Sequence, residues 1–478
     1  MTFKVSNNPN PQVMQWKSVI PLRVLLLLVA LTLQNYGCKK SGTTDAAVPP
    51  VETSEKDPEQ YGSPFRNVPN TEDIIMYEVN LRAFSGSGNL KGVQSRLDSI
   101  KDLGVNVMWL MPIHPGGELK GIGSPYAVKN YKEVGPEYGT LDDLRNLVKE
   151  AHVRNIAVIM DLVGNHTAWD NPWIQNKAWY TTDASGNIVS PNGWADVADL
   201  NFNNSSMRRE MLKAMKYWIL TANVDGYRCD YADGVPSDFW KEAIDTLKKI
   251  PDRKLIMFAE GTKKDHFSAG FNLTFGWDFF NAMKAVYNKN QSASTLSNVN
   301  TADYVNVPEQ SHILRFISNH DDNAVDNAPF ATFKGNKGSL GAFALTLYMG
   351  GVPLIYNGQE VGNPSKLEFF SRTPIDWKIN PDITAEYKKL IAFRKGSNAV
   401  KTGSIVHFTN HADIVAFKKT SGTEQVVVLV NVRDKKVNYP LDSSVSNRMW
   451  TDGLTGSAVS LGTEIGLEPF SYLVLKNN

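Results

Sequence analysis

The stretch IAVIMDLVGNH, from Ile156 to His166, is a run of apolar residues that ends in polar ones. Its length and its content of branched side chains are typical of a strand buried on both faces, as in a parallel sheet. Further runs of this kind are Ile74–Asn80, Val105–Pro112, Val224–Asp230, Leu255–Glu260, Ile313–His320 and Val352–Gly358. The chain is therefore predicted to contain a large, mostly parallel sheet.

Segments with helical periodicity lie between these strands. They are Leu90–Leu103, Thr140–Arg154, Ser206–Ala222, Pro236–Lys249 and Leu340–Met349. An eighth strand is expected within Gly270–Phe280, and the alternation then predicts an α/β fold, a (β/α)8 TIM barrel. A doubly wound open sheet is the alternative, but no glycine-rich phosphate-binding fingerprint follows the first strand.

The chain divides into segments of different character. Barrel residues are predicted over 63–395, with an inserted subdomain after strand 3 at about 167–203, where the sequence is polar, aromatic and turn-rich. Residues 396–478 alternate apolar and polar positions in short runs separated by turn signals. They predict a C-terminal all-β sandwich domain.

The N-terminus is typical of an exported bacterial protein. Lys17 and Arg23 precede the apolar run Val24–Leu33, which is short for a membrane span and suits a signal peptide. Cys38 follows in NYGCKKSG, which resembles a lipoprotein signal with a lipidated cysteine, although Asn35 stands where an aliphatic residue is usual. Simple secretion is the alternative. We therefore predict a signal peptide over 1–38, a flexible tether over 39–62, and a lipid-anchored periplasmic or cell-surface protein.

Charge and cysteine content argue against a nucleic-acid partner and against a disulfide framework. The 50 Lys and Arg residues and 49 Asp and Glu residues leave a formal net charge of +1, so no basic surface indicates a nucleic-acid partner. The chain has two cysteines. Because Cys38 is the predicted lipidation site, Cys229 has no evident partner for a disulfide. Cys229 is therefore expected to be a buried, unpaired thiol.

Polar residues stand at the C-terminal ends of four predicted strands, where parallel barrels carry their catalytic groups. They are Asp161, Asn165 and His166; Arg228 and Asp230; Glu260; and Asn319, His320, Asp321 and Asp322. Polar groups at the ends of buried strands are costly unless they are paired or used. The ends of the strands meet at one mouth, so these residues predict an active site.

Glycoside hydrolysis uses such a set of groups. It needs a carboxylic acid that protonates the leaving oxygen and a second carboxylate near the anomeric carbon. Crowding and burial raise the pKa of one carboxyl group, and Arg228 is placed to hold Asp230 ionised. Spacing alone leaves a metal-dependent hydrolase open as the alternative.

The ordered motifs resemble the α-amylase superfamily, glycoside hydrolase family 13. The four signature regions are similar to DLVGNH (161–166), GYRCD (226–230), FAEG (258–261) and FISNHD (316–321), and the flanking matches are GSPYAVKNYKEVGPEYGT (123–140), VADLN (197–201) and GVPLIYNGQE (351–360). They occur in the family's order.

The resemblance implies a role for each of seven residues. Asp230 is the expected nucleophile, Glu260 the general acid and base, and Asp321 the residue that stabilises the transition state. The residues expected to bind substrate are Tyr126, His166, Arg228 and His320. The implied activity is a retaining hydrolase of α-1,4-glucosidic bonds in starch, glycogen or malto-oligosaccharides.

Two alternatives to that activity stay open at this point. One is another activity of the superfamily: an α-glucosidase, a cyclomaltodextrinase or neopullulanase, or a transglycosylase. The other is a non-catalytic surface protein that binds glycans.

The resemblance also implies a structural calcium ion, and no organic cofactor. Asn165 and Asp199 match two positions that bind calcium in the family, but the third position is Gly234. The sequence thus leaves open whether calcium binds. Oxygen ligands at about 2.3–2.6 Å would be required.

Overall fold

The computed structural model of the chain describes residues 56–477. The predicted signal peptide, the lipidation site at Cys38 and most of the predicted tether lie outside the described residues. In the described part, no helix combines the length and hydrophobicity needed to cross a bilayer.

Eight parallel strands close into a barrel in the order β1-β2-β3-β6-β7-β8-β9-β10. The strands of the barrel and of the insert after β3 are β1 Met76–Val79, β2 Val107–Leu110, β3 Ala157–Val163, β4 His166–Ala168, β5 Val197–Asp199, β6 Gly226–Asp230, β7 Ile256–Ala259, β8 Leu273–Phe275, β9 His312–Arg315 and β10 Val352–Tyr356. Strands β4 and β5 belong to the insert. All seven residues of β3 are buried, as its apolar sequence requires.

Helices lie between the barrel strands along the chain, and α10 begins at the barrel mouth with His320. They are α1 Leu81–Phe84, α2 Leu90–Gln94, α3 Leu97–Leu103, α4 Leu141–Val153, α5 Ser205–Thr221, α6 Ser237–Leu247, α7 Asp265–Ala269, α8 Trp277–Asn288, α9 Ser294–Asp303, α10 His320–Val325, α11 Pro329–Thr332, α12 Asn336–Tyr348, α13 Pro381–Gly396 and α14 Asn398–Thr402. Thr140 and Asp143 form a capping box at the start of α4, which fixes where that helix begins.

The insert after β3 is built on a small hairpin. Strands β4 and β5 pair antiparallel, with His166 opposite Asp199. Short 3-10 turns and irregular chain fill the segment between the two strands. The hairpin holds the insert beside the C-terminal end of β3.

The C-terminal strands form a six-stranded sheet and a two-stranded sheet. These strands are β11 Ser404–Phe408, β12 Ile414–Ser421, β13 Glu424–Asn431, β14 Val437–Pro440, β15 Arg448–Asp452, β16 Ala458–Leu461, β17 Glu464–Leu467 and β18 Tyr472–Asn477. Alternate residues of β13 face two different cores: Val426 and Val428 join the barrel core, whereas Val427 and Leu429 join a separate core with β14 and β17.

The predicted fold class is confirmed, with local differences. The expected eighth strand is β8, and Cys229 is buried and unpaired in the described chain. The segment Leu90–Leu103 forms two helices instead of one, because Arg96 leaves helical geometry (φ −116°, ψ 11°). Helices α13 and α14 occupy the chain up to residue 402, so the C-terminal strands begin at Ser404.

Candidate active site

A cavity of about 560 Å³ opens at the C-terminal ends of the barrel strands. Six of the residues that sequence reasoning predicted line it together: Tyr126, His166, Asp230, Glu260, His320 and Asp321. The seventh, Arg228, is fully buried next to them. The structure therefore brings all seven predicted residues to one place.

Arg228 joins the carboxylates of three different strands. Its Nη1 donates to Oδ1 of Asp161 at 2.9 Å and to Oδ1 of Asp230 at 2.8 Å. Its Nη2 lies 2.7 Å from Oε1 of Glu260. A planar guanidinium has donors in a fixed fork, so it sets the positions of these carboxylates relative to one another.

Asp161 is held by donors on every side and has little freedom to act on a substrate. Besides Arg228, the indole of Trp109 donates to it at 3.1 Å and the hydroxyl of Tyr126 at 3.0 Å. The side chain of Asp161 is fully buried. This agrees with a positioning role for Asp161 instead of a catalytic one.

Glu260 and Asp230 have raised pKa values. Burial is the main cause for Glu260; Arg228 opposes it, Asp230 and Asp321 add to it, and the pKa reaches about 7. Burial likewise raises the pKa of Asp230, against the effect of Arg228, to about 6. Near neutral pH, Glu260 therefore retains a proton more readily than Asp230, as an acid and nucleophile pair requires.

The direction of the Glu260 carboxyl is fixed by the backbone beside Asp230. Tyr231 adopts left-handed backbone geometry (φ 41°), and its N–H donates to Oε2 of Glu260 at 2.7 Å. Such geometry is costly in a residue other than glycine and is concentrated at functional sites. The turn after β6 therefore fixes the position of the Glu260 carboxyl group relative to the strand end that carries Asp230.

The two histidines of this site have pKa values that are shifted in opposite directions. Burial lowers the pKa of His320, but Asp321 and Glu78 outweigh it and raise the pKa to about 9. Nδ1 of His320 bonds Glu78, and its Nε2 lies 2.8 Å from the hydroxyl of Tyr126. Burial lowers the pKa of His166 to about 4. Asp321, with half of its side chain exposed, stands at the open side of the cavity.

Sequence reasoning missed several residues of the site. Glu78 stands in the first buried strand, and the rule that buried charges are paired would have marked it. The cavity walls also include Trp194 from the insert, Trp277 from α8, and Phe369 and Phe370 from the loop after β10. No local motif marks these aromatic residues, because the segments that carry them acquire their positions from tertiary packing.

Asp233, for which the sequence indicated no role, also lines the cavity. Its Oδ1 lies 2.6 Å from Nε2 of His266, and the backbone N–H of Thr262 donates to its Oδ2 at 3.2 Å. These contacts hold the carboxylate against the loop after β7. Asp233 is therefore part of the wall, at the same turn as Asp230.

Asn165 and Asp199, the two residues expected to bind calcium, lie at the β4–β5 hairpin, and Gly234 offers no side-chain ligand. Calcium takes six to eight oxygen ligands, yet the described chain has no group of three or more His, Cys, Asp or Glu side chains placed to hold a metal. A side chain at position 234 would meet the ring of Tyr231 at 2.2 Å and Oδ1 of Asn165 at 2.7 Å. Gly234 therefore packs against Tyr231 and Asn165, and the calcium site stays a prediction.

The family model for the alpha-amylase catalytic domain matches residues 61–186 and 174–398. The chain belongs to the alpha-amylase family. It is accordingly a glycoside hydrolase of the alpha-amylase type, which confirms the predicted enzyme class.

Relatives match the chain across most of its length. Alpha-amylase 3 of Dictyoglomus thermophilum is 28% identical over 490 residues, covering 86% of this chain and 94% of that protein. A cyclomaltodextrinase of Geobacillus thermopakistaniensis is 24% identical, covering 81% of this chain and 70% of that one. The crystal structure of the maltogenic alpha-amylase AmyB of Thermotoga neapolitana is similar with a TM-score of 0.76 and 27% identity, covering 86% and 99% of the two chains.

Proposed function

We propose that this alpha-amylase family hydrolase cleaves α-1,4-glucosidic bonds in starch, glycogen or malto-oligosaccharides with retention of configuration. The contact of one guanidinium, that of Arg228, with both Asp230 and Glu260 carries the proposal. Retaining hydrolases need their two carboxyl groups only about 5–5.5 Å apart, and a shared arginine supports such closeness.

In the first step, Glu260 gives its proton to the glycosidic oxygen while Asp230 attacks the anomeric carbon. The bond to the leaving sugar breaks, a bond from the anomeric carbon to Asp230 forms, and the first product leaves with the proton. The raised pKa of Glu260, about 7, keeps this proton available near neutrality. Arg228 keeps Asp230 oriented for the attack.

In the second step, the Glu260 carboxylate takes a proton from water. The oxygen of that water attacks the anomeric carbon, and Asp230 leaves as a carboxylate. Two inversions restore the original α configuration. Asp321, at the open side of the cavity, stabilises positive charge that develops on the sugar ring, and His166 and His320 bind sugar hydroxyls.

The names of the relatives support a glucan substrate and also a second candidate activity. Besides the alpha-amylases, one relative is a cyclomaltodextrinase, and an oligo-1,6-glucosidase of Parageobacillus thermoglucosidasius is 29% identical over 219 residues. Hydrolysis of cyclic or branched glucans, or transfer to a second sugar, is therefore the alternative. The loops that shape the cavity decide among these activities, and they do so independently of the catalytic carboxylates.

The first experiment measures reducing sugar released from soluble starch. We expect release by the native protein and losses of at least about 1000-fold in Asp230→Asn and Glu260→Gln, because each variant lacks a group that reacts. Asp252→Asn, which changes an exposed aspartate on the surface, is the matched control. Release that survives both active-site substitutions would refute the proposal.

The second experiment separates the two candidate activities. Equal masses of starch, β-cyclodextrin, pullulan and maltoheptaose are digested, and the initial rates and products are compared. A mixture of short oligomers and the highest rate on starch support the alpha-amylase activity. A rate on β-cyclodextrin far above that on starch supports the cyclomaltodextrinase activity.

We further propose that the protein is exported and held at a bacterial membrane by lipid on Cys38. The support is the sequence around Val24–Leu33 and NYGCKKSG. Labelled palmitate should enter the native protein and not Cys38→Ser, which should instead appear in the soluble exported fraction. Unlabelled native protein that is released freely would indicate simple secretion.

A further inference from the structure

A second cavity, of about 500 Å³, lies at the end of the barrel opposite the catalytic one. Its walls come from α9, from the residues that lead into β9 and β10, and from strands β11 and β12 of the C-terminal sheet. Cavities of this size are typical of small-molecule sites. Nothing in the proposed glucan chemistry uses it.

Two buried cations at this cavity lack an acidic partner in the described chain. Lys419, which lines the cavity and is 3% exposed, donates to one backbone carbonyl, that of Val400, at 2.5 Å. Arg394, behind the wall, donates only to the carbonyl oxygens of Leu347, Glu72 and Gly351. An ammonium has three donors, so Lys419 keeps donors without an acceptor.

Arg394 adds to the positive charge around Lys419. Burial lowers the pKa of the ammonium to about 7, and the charged group that adds to this effect is Arg394. A buried charge without a counterion is strongly unfavourable, and an anion in the cavity would remove that cost. Lys419 lies in the sheet between Ile405 of β11 and Val426 of β13, which are both apolar.

His407, on the adjacent strand β11, supplies further unused polar atoms. Both of its ring nitrogens are buried, and neither has a hydrogen-bond partner in the described chain. His407 lines the same cavity as Lys419. Because buried polar atoms are nearly always paired, the two nitrogens indicate a partner that the chain itself does not provide.

The remaining charged groups around the cavity do not compensate for Lys419. Lys401 pairs with Asp73 at 2.9 Å, which neutralises both. Glu309 is exposed at the rim, and burial together with Arg394 lowers the pKa of His312 to about 4. The interior therefore presents cationic and neutral donors, and its acidic groups stay at the edge.

We propose that this cavity binds a small oxyanion, phosphate in the first instance, through Lys419 and His407. Two ligands carry such a group, which is negatively charged and has several acceptor oxygens. They are free inorganic phosphate and a small sugar phosphate. The volume of the cavity leaves room for the body of a sugar beside the group. The site is separate from the catalytic carboxylates, at the seam between the barrel and the C-terminal sheet.

The test is calorimetric titration of inorganic phosphate, and separately of glucose 1-phosphate, into the full chain at pH 6.5 and constant ionic strength. We expect saturable binding at one site, weakened at least about tenfold in Lys419→Met and in His407→Phe, each of which removes a hydrogen-bond donor to the anion. Lys395→Met is the control, because Lys395 is exposed, donates to the carbonyl of Gly104 and does not line the cavity. Glu260→Gln should leave phosphate binding unchanged.

Thermal unfolding provides a second measurement that does not depend on calorimetry. Phosphate should raise the unfolding midpoint of the native protein, and this increase should disappear in Lys419→Met, whose midpoint without phosphate should equal or exceed that of the native protein. If Lys419→Met does not fold, the loss or retention of this increase in His407→Phe decides whether the proposal stands. Tighter binding of glucose 1-phosphate supports a sugar phosphate, and equal binding supports the free ion. Binding of neither ligand, or binding that both variants retain, would overturn the proposal.

Discussion

At the scale of single residues, Arg228 limits how many of the neighbouring carboxyl groups are ionised together. One buried cation faces the carboxyl groups of Asp161, Asp230 and Glu260. If all of them were ionised, the cluster would hold a buried excess of negative charge, which is costly. A proton on one member removes part of that excess, and the raised pKa of Glu260 makes it the member that retains the proton.

Arg228→Lys tests this arrangement. Lysine keeps the positive charge but has a single nitrogen, which cannot hold carboxylates at the two positions that Nη1 and Nη2 occupy. We expect kcat/KM on starch to fall by about 100-fold or more, because small displacements of reacting groups have effects of that size. Arg315→Lys is the matched control, since Arg315 is equally buried but pairs with Asp303 outside the cavity. An Arg228→Lys enzyme with native kcat/KM would contradict the role assigned to Arg228.

The pH dependence of kcat/KM should be a narrow bell. Asp230 must be ionised, so activity should rise as pH increases through about 6. Glu260 must be protonated, so activity should fall as pH increases through about 7. Initial rates on maltoheptaose from pH 4 to 9, with stability checked at each pH, measure both limbs. Activity that stays constant up to pH 9 would contradict the assignment of Glu260 as the acid.

Most of the residues that the sequence could predict have a place that follows from a strand, whereas Tyr126 was predicted from its motif alone. Asp230 and Glu260 each stand directly at the end of a buried run, so their convergence followed from barrel geometry. Trp194 and Phe370 lie in irregular segments, and their sequence does not indicate which wall they join. Arg228 was expected to orient Asp230, but its contact with Glu260 depends on side-chain direction and could not be derived from spacing.

At the scale of elements, the hairpin β4–β5 and the turn after β6 surround the expected calcium position. The hairpin places Asp199 opposite His166, next to Asn165. Burial raises the pKa of Asp199, and Thr181 bonds its carboxylate. The turn after β6 brings Tyr231 into the space beside Gly234. Gly234 itself therefore offers a cation no side-chain ligand, and the ring of Tyr231 packs against it.

Removal of calcium should accordingly have little effect. We expect the thermal midpoint and kcat to be unchanged within error after treatment with EDTA, and unchanged again when calcium is added back. Differential scanning calorimetry and starch hydrolysis measure the two quantities. A midpoint that falls by many degrees with EDTA and recovers with calcium would show that Asn165 and Asp199 do bind the ion.

Element boundaries were less predictable than element types. The helical pattern over Leu90–Leu103 is continuous in hydrophobicity, yet the chain breaks it at Arg96. Strand β8 has only three residues within an aromatic segment, and the closure of the barrel fixes its place more than its own sequence does. Local pattern thus predicts what an element is, and tertiary contacts decide where it ends.

At the scale of the whole molecule, the C-terminal sheet is part of the support of the barrel. Val415, Phe417, Val426 and Val428 are buried in one core with the barrel residues. Arg433, from the loop after β13, donates to the carbonyl of Val286 at the end of α8. Residues 56–477 form one compact unit, so the C-terminal strands do not behave as a separable module.

A chain that ends at residue 402 should therefore fold poorly. Removal of the sheet exposes the apolar side chains of the barrel that pack against β12 and β13, and exposed patches of this kind cause aggregation. We expect insoluble protein, or a thermal midpoint lower by more than about 10 °C, which corresponds to the loss of several buried side chains. A chain that begins at Lys56 is the control and should keep the native midpoint. A soluble truncated enzyme with native stability would show that the barrel is independent.

Trapping the sugar on Asp230 tests whether the reaction passes through a covalent intermediate on that residue. Glu260→Gln is incubated with α-maltosyl fluoride, whose fluoride leaves without protonation, so that the first step proceeds and the second lacks its base. We expect intact mass spectrometry to show a covalent maltosyl adduct, and peptide mapping to locate it on Asp230. The double variant Asp230→Asn/Glu260→Gln should form no adduct. Adduct on another residue, or hydrolysis of the fluoride that first releases β-maltose without any adduct, would contradict the proposed mechanism.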